Sequence, residues 1–200
     1  MIESFGLGLS VLFIWLYPGR TGTSFSLLIG QICGLTLSTA PAGLYRYVTT
    51  PVYALDHAEQ GNYYSVLVCR TDEAETALTS APDAVAAINN MESFSGHRAL
   101  FRTVFGSAAG CFKKTVLTGS HLESMHAVAA GRADIAAIDA VSFRLAERYR
   151  PDLTAALCVF ALSAPIAGLA LVSSAATDDT VIERLRQALS RAAAAPECAP

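Results

Sequence analysis

The chain has 200 residues, 52% of them hydrophobic and 16% charged, with a formal net charge of −3. That length and apolar content suffice for a sizeable core in one or two globular domains and exclude a disordered chain. The slight negative charge, with no basic run, excludes an electrostatic nucleic-acid surface, which needs clustered lysine and arginine.

The five cysteines, Cys33, Cys69, Cys111, Cys158 and Cys198, show no CxxC or other metal-ligand spacing, so they read as small buried hydrophobes. Residues 5–17 form an apolar run that is short for a bilayer span and lacks the preceding Lys or Arg of a secretory leader. Residues 1–25 therefore stand as an unassigned apolar segment. Residues 27–35 and 45–53 read as strand material, the second broken by Pro51. After a polar connection, residues 63–70 form a strongly β-prone segment, suited to crossing between two lobes. Residues 71–79 read as a short helix and residues 84–89 as a short buried strand.

Two similar units follow. In the first, a strand runs into Ser93-Phe94-Ser95-Gly96-His97, and Ala99, Leu100, Val104 and Phe105 supply the apolar face of a helix ending near Gly106. In the second, Thr118-Gly119-Ser120-His121 follows a strand, and Ser120 with Glu123 has the spacing of a capping box. Leu122, Met125, Val128 and Ala129 then make one apolar stripe, and Gly131 stands where a left-handed residue would stop the helix. Residues 135–138 are apolar without alternation, as in a strand covered on both faces, and Asp139 falls at its C-terminal end.

A helix N-terminus offers unpaired amides and the positive end of the helix dipole, and both favour an anion. Each turn taken alone reads as a plain helix cap; two matched turns in neighbouring units point to an anion site. His97 and His121 are then either solvated first-turn residues or anion donors, while His57 and His126 read as surface or packing residues. Asp139 is either the cap of a helix over 141–149 or a group facing ligand, and Tyr53 and Tyr64 are either core aromatics or pocket walls. Further on, residues 157–162 read as a buried strand, 163–165 as a break, 169–172 as a strand and 178–192 as an amphipathic helix.

Ser93-Phe94-Ser95-Gly96, Thr118-Gly119-Ser120-His121 and Gly131-Arg132-Ala133-Asp134 leading to Ala137-Ile138-Asp139 together resemble the phosphate/phosphonate family of ABC-transporter substrate-binding proteins. Gln31-Ile32-Cys33-Gly34 and Thr50-Pro51-Val52-Tyr53 fit the same family's first lobe. The resemblance implies an α/β, two-lobed periplasmic-binding-protein fold of type 2 with hinge strands. Lobe I would comprise residues 26–69 and 163–192, lobe II residues 70–162, with a tail over 193–200. The family's first strand and helix have only the short apolar run in their place, so the first lobe is expected to be incomplete.

By the same resemblance, Ser93, the amide of Phe94, Ser95 and His121 donate to the oxyanion, with Tyr53, Tyr64 and Asp139 as pocket wall; Ser120, in the second turn, is a further candidate ligand-binding residue. The implied function is a periplasmic solute-binding component for phosphate, phosphite or a phosphonate, partnered by a transporter permease. It calls for no catalysis, cofactor, metal or nucleic acid. A ligand-sensing module or a non-functional remnant of the same fold is the alternative. An acyl-transfer enzyme ranks last, because the serines lie at helix caps with no G-x-S-x-G elbow. Amine recognition is not implied, since Ser163-Ala164-Pro165 lacks the acidic residue that aminophosphonate binders of the family carry.

Overall fold

The computed structural model describes residues 45–73, 81–107 and 110–195. The apolar segment 1–25, the strand expected over 27–35, Cys33, Cys198, most of the helix expected over 71–79 and the last residues of the tail lie outside the described residues.

In chain order the strands longer than two residues are β1 (Tyr45–Thr49), β2 (Ser65–Arg70), β3 (Val85–Ile88), β4 (Lys114–Leu117), β5 (Ile135–Asp139), β6 (Leu157–Leu162) and β7 (Leu171–Ser174). The helices are α1 (Ala99–Phe105), entered through a π turn over Phe94–Arg98, then α2 (His121–Ala129), α3 (Ala140–Tyr149), the short α4 (Pro151–Thr154) and α5 (Asp179–Ala193). They form two compact units, one of the described residues 45–54 with 167–195 and the other of residues 55–166.

In the first unit β1 and β7 pair antiparallel, Tyr45 opposite Ser174 and Arg46 opposite Ser173. Strand β1 ends before Pro51, which has no amide hydrogen to continue a ladder. Helix α5 buries Ile182, and its Arg186 donates from Nε to the Val48 carbonyl at 2.9 Å. Arg46 forms an ion pair with Asp179 in the first turn of the same helix. An acidic residue there also suits the helix dipole.

The second unit is built on a five-stranded sheet of order β4-β3-β5-β2-β6. Strand β3 runs parallel to β4 and β5, whereas β2 runs antiparallel to β5 and β6. Alternating residues feed two cores on opposite faces. Val66, Val68, Ala87, Ala136 and Ile138 pack with Met125 and Val128 of α2 and Phe143 of α3. Leu67, Cys69, Ala86, Ile88, Ile135 and Ala137 pack with Leu100 and Phe101 of α1. The interior strands are thus apolar on both sides, which explains their unbroken hydrophobic runs.

Three sequence expectations change, the first being that Cys111 is exposed where a buried cysteine is expected, while Cys69 is buried. The two compact units divide at Ala54 and Ile166, whereas the lobes are expected to divide at residues 69 and 162. The reason is β2: it pairs along its length with β5 on one side and β6 on the other, so it is an interior strand of the second unit. Residues 157–162, expected to be buried, form the edge strand β6, with Val159 39% and Leu162 38% exposed. An apolar run does not distinguish an edge from an interior strand.

Candidate functional site

The direction of chain winding reverses at β3. From β3 the chain passes through α1 to β4 on one side, then through α2 to β5 on the other, and α1 and α2 lie on opposite sheet faces. Such a reversal leaves a crevice beyond the C-terminal ends of the strands, where open α/β sheets bind ligands. Both Ser/Gly/His turns open there.

The first turn is organised by Ser93, whose Oγ accepts from the Gly96 amide at 3.0 Å. The Ser93 carbonyl accepts from both the His97 amide, at 3.3 Å, and the Arg98 amide, at 3.1 Å. This π-type opening is a geometry often found at functional sites. It makes Ser93 the cap and releases the Ser95 side chain from local duty. The amides of Phe94 and Ser95, being the first of the helix, have no intrahelical acceptor.

In the second turn Ser120 Oγ accepts from the Glu123 amide at 3.0 Å, as its spacing requires. Gly119 takes φ +89°, and its amide donates to the Asn89 carbonyl at 3.1 Å, while the Thr118 amide donates to Ile88 at 2.9 Å. The second turn is therefore stitched onto the end of β3. Below it, Thr118 Oγ1 and Ser124 Oγ share a hydrogen bond of 2.6 Å, with Ser124 fully buried. Gly131, at φ +68°, ends α2.

The two turns meet through their side chains, Ser95 Oγ lying 2.9 Å from His121 Nε2. The other ring nitrogen, Nδ1, is buried and makes no hydrogen bond of good geometry, although the Ala137 carbonyl is near enough to favour a protonated ring. Burial pushes the His121 pKa below 6.5, opposed by the negative field of Asp139 and by the Ala137 carbonyl. Burial thus favours the neutral ring. Asp139 also caps α3, accepting from the Ser142 amide at 3.0 Å, so both roles considered for it are compatible.

Ser93, Phe94, Ser95, Ser120, His121 and Asp139 are thus gathered at one end of one sheet. Tyr64 belongs there only through its backbone, its carbonyl accepting from the Ala140 amide at 3.1 Å. Its ring is buried against His57, edge to face with centroids 5.9 Å apart, and burial pushes its hydroxyl pKa up. Tyr53 lies in the first unit, 46% exposed. His97 is turned away, its Nδ1 2.6 Å from the Met91 carbonyl and its ring edge to face with Phe101.

Sequence reasoning missed Asn89. A Cβ built on Gly96 would lie 1.9 Å from Asn89 Oδ1 and 3.3 Å from His121 Cε1, so the glycine is required by this close approach. Asn89 Oδ1 is buried without a partner. Its only sequence signal is a polar residue directly after a buried strand. Among the described residues no cluster of His, Cys, Asp and Glu could hold a metal, and no helix is long and apolar enough to cross a membrane.

The family model for phosphonate periplasmic substrate-binding proteins of ABC transporters matches residues 40–199. The chain belongs to this family. A search of curated proteins found no match. Among solved structures, it is similar to a binding protein component of an ABC phosphonate transporter from Pseudomonas aeruginosa, with 24% identity and a TM-score of 0.59. That match covers 73% of this chain and 49% of the other. A Xanthomonas citri protein bound to ATP is similar at 18% identity and TM-score 0.61, over 90% of this chain and 71% of that one. PhnD1 from Prochlorococcus marinus, in complex with methylphosphonate, is similar at 17% identity and TM-score 0.57, over 70% and 55% respectively. The fold is that of the type 2 periplasmic binding proteins, and the chain spans about half the length of the Pseudomonas relative.

Proposed function

We propose that this protein is a solute-binding component of an ABC transporter and that its solute is a phosphorus oxyanion: phosphate, phosphite or an alkylphosphonate. The observation carrying this reading is the 2.9 Å contact between Ser95 Oγ and His121 Nε2 where two helix N-termini converge. Ser95, His121 and the first-turn amides of Phe94 and Ser95 place several donors around one point. A tetrahedral oxyanion rewards such an arrangement because each oxygen accepts separately. Membership of the phosphonate family and the methylphosphonate in the Prochlorococcus relative support the same ligand class. A transporter permease is the corresponding partner.

Calorimetric titration tests this reading. Phosphate, phosphite or methylphosphonate should give saturable heat, and amino acids and sugars none. Equal responses to all of them, or none to any phosphorus compound, would overturn it.

A further inference from the structure

We infer that an oxyanion binding at the Ser95–His121 pair brings with it the uptake of one proton by the His121 imidazole. This inference rests on the reading of that pair as the anion site and adds how the site is regulated.

The argument begins with the hydrogens available to the pair. A neutral imidazole carries one N–H, and a serine hydroxyl carries one O–H. If the ring hydrogen is on Nδ1, then Nε2, 2.9 Å from Ser95 Oγ, accepts a hydrogen bond from the hydroxyl and the pair presents no donor to an anion. If the ring hydrogen is on Nε2, Ser95 can turn its hydroxyl toward the anion, but Nδ1 is left as a bare buried acceptor, and the Ala137 carbonyl near the ring cannot donate to it. Neither neutral form suits an anion. Protonation removes both defects: Nε2–H donates, the Ser95 hydroxyl is released to donate as well, and the second N–H can use the Ala137 carbonyl that already favours the charged ring.

The charge balance around the ring points the same way. From the Phe94–Arg98 turn it meets the uncharged Ser95, since His97 faces Met91 and Phe101. From the end of β3 it meets the uncharged Asn89 amide across Gly96. From β5 it feels the Asp139 carboxylate, and on its own helix Glu123 is exposed. The one carboxylate falls short of offsetting burial. A second negative charge at hydrogen-bond distance adds to the first and moves the balance toward imidazolium. The proton comes from solvent and is returned when the ligand leaves, so acid favours loading and alkali favours release.

The test follows the His121 Cε1 proton by NMR against pH, in the full chain alone and saturated with methylphosphonate or inorganic phosphate. Free, the ring should titrate below 6.5. Saturated, its midpoint should rise by about one pH unit or more. Calorimetry at pH 7 in buffers of different ionisation heat should then show net proton uptake, a substantial fraction of one proton per ligand that approaches one as the shift grows, after correction for the ligand's own ionisation, and His121→Gln should lose that uptake. A ring that stays neutral while calorimetry still records binding overturns proton uptake and leaves the anion site standing. No binding of either probe overturns both.

Discussion

The Ser95 hydroxyl lies 2.9 Å from His121 Nε2, although 26 residues separate the two in the chain. The contact exists because α1 and α2 leave the sheet on opposite faces yet begin at the same edge. It also separates two serines that look equivalent in Ser93-Phe94-Ser95: Ser93 caps the helix and Ser95 is turned to the histidine.

Ser93→Ala should therefore lower stability by about 1 kcal/mol, the usual cost of a lost cap. Ser120→Ala should do the same through the Glu123 amide. Denaturant melts of the two variants beside wild type check this. Unchanged midpoints would show that neither hydroxyl caps its helix in solution.

Gly96→Ala should be more damaging, because its new methyl would collide with Asn89 Oδ1 and press on His121. Overpacking of this kind costs about 1–3 kcal/mol, and the displaced histidine should abolish anion binding. Adding Asn89→Ala should recover most of the lost stability, as that side chain is the principal obstacle. If the double variant melts no higher than Gly96→Ala, the close approach described here is wrong.

Stability should depend on pH through His121. Its folded pKa is depressed below 6.5 by burial, so between 6.5 and the folded value the unfolded chain binds more protons. The stabilising effect of the neutral buried ring is thus complete above pH 6.5 and is lost as pH falls toward the folded pKa. Thermal melts from neutral to acid pH should show this limb in wild type and a smaller one in His121→Gln. Asp139→Asn keeps a capping side chain but removes the charge that favours imidazolium, so it should shift the limb to lower pH. A limb shifted upward instead would contradict the assigned field.

Much of this arrangement was legible from the sequence, and the legible parts are local. The Ser120–Glu123 spacing, the glycine stops at Gly106 and Gly131, and the buried run ending in Asp139 each depend on interactions within a few residues, and each is realised. The two matched turns and the family resemblance led to Ser95 and His121. What escaped depends on distant partners. Residues 63–70 could not reveal that two other strands enclose β2, nor residues 157–162 that β6, among the described residues, has a neighbour on one side only. The ring of Tyr64 goes into the core because α3 and His57 cover it. Asn89 matters through contact with a glycine seven positions later and a histidine on another helix, which no periodicity encodes.

The central claim is that Ser95 and His121 hold an oxyanion, and a methylphosphonate titration of Ser95→Ala beside a thermal melt tests it most directly. Because Ser93 provides the cap, the variant should melt close to wild type. A hydrogen bond to a charged group is worth about 1.5–3 kcal/mol, so affinity should fall by roughly one to two orders of magnitude. A variant that melts early yet binds as tightly as wild type would show that Ser95 is structural, and the site would have to lie elsewhere.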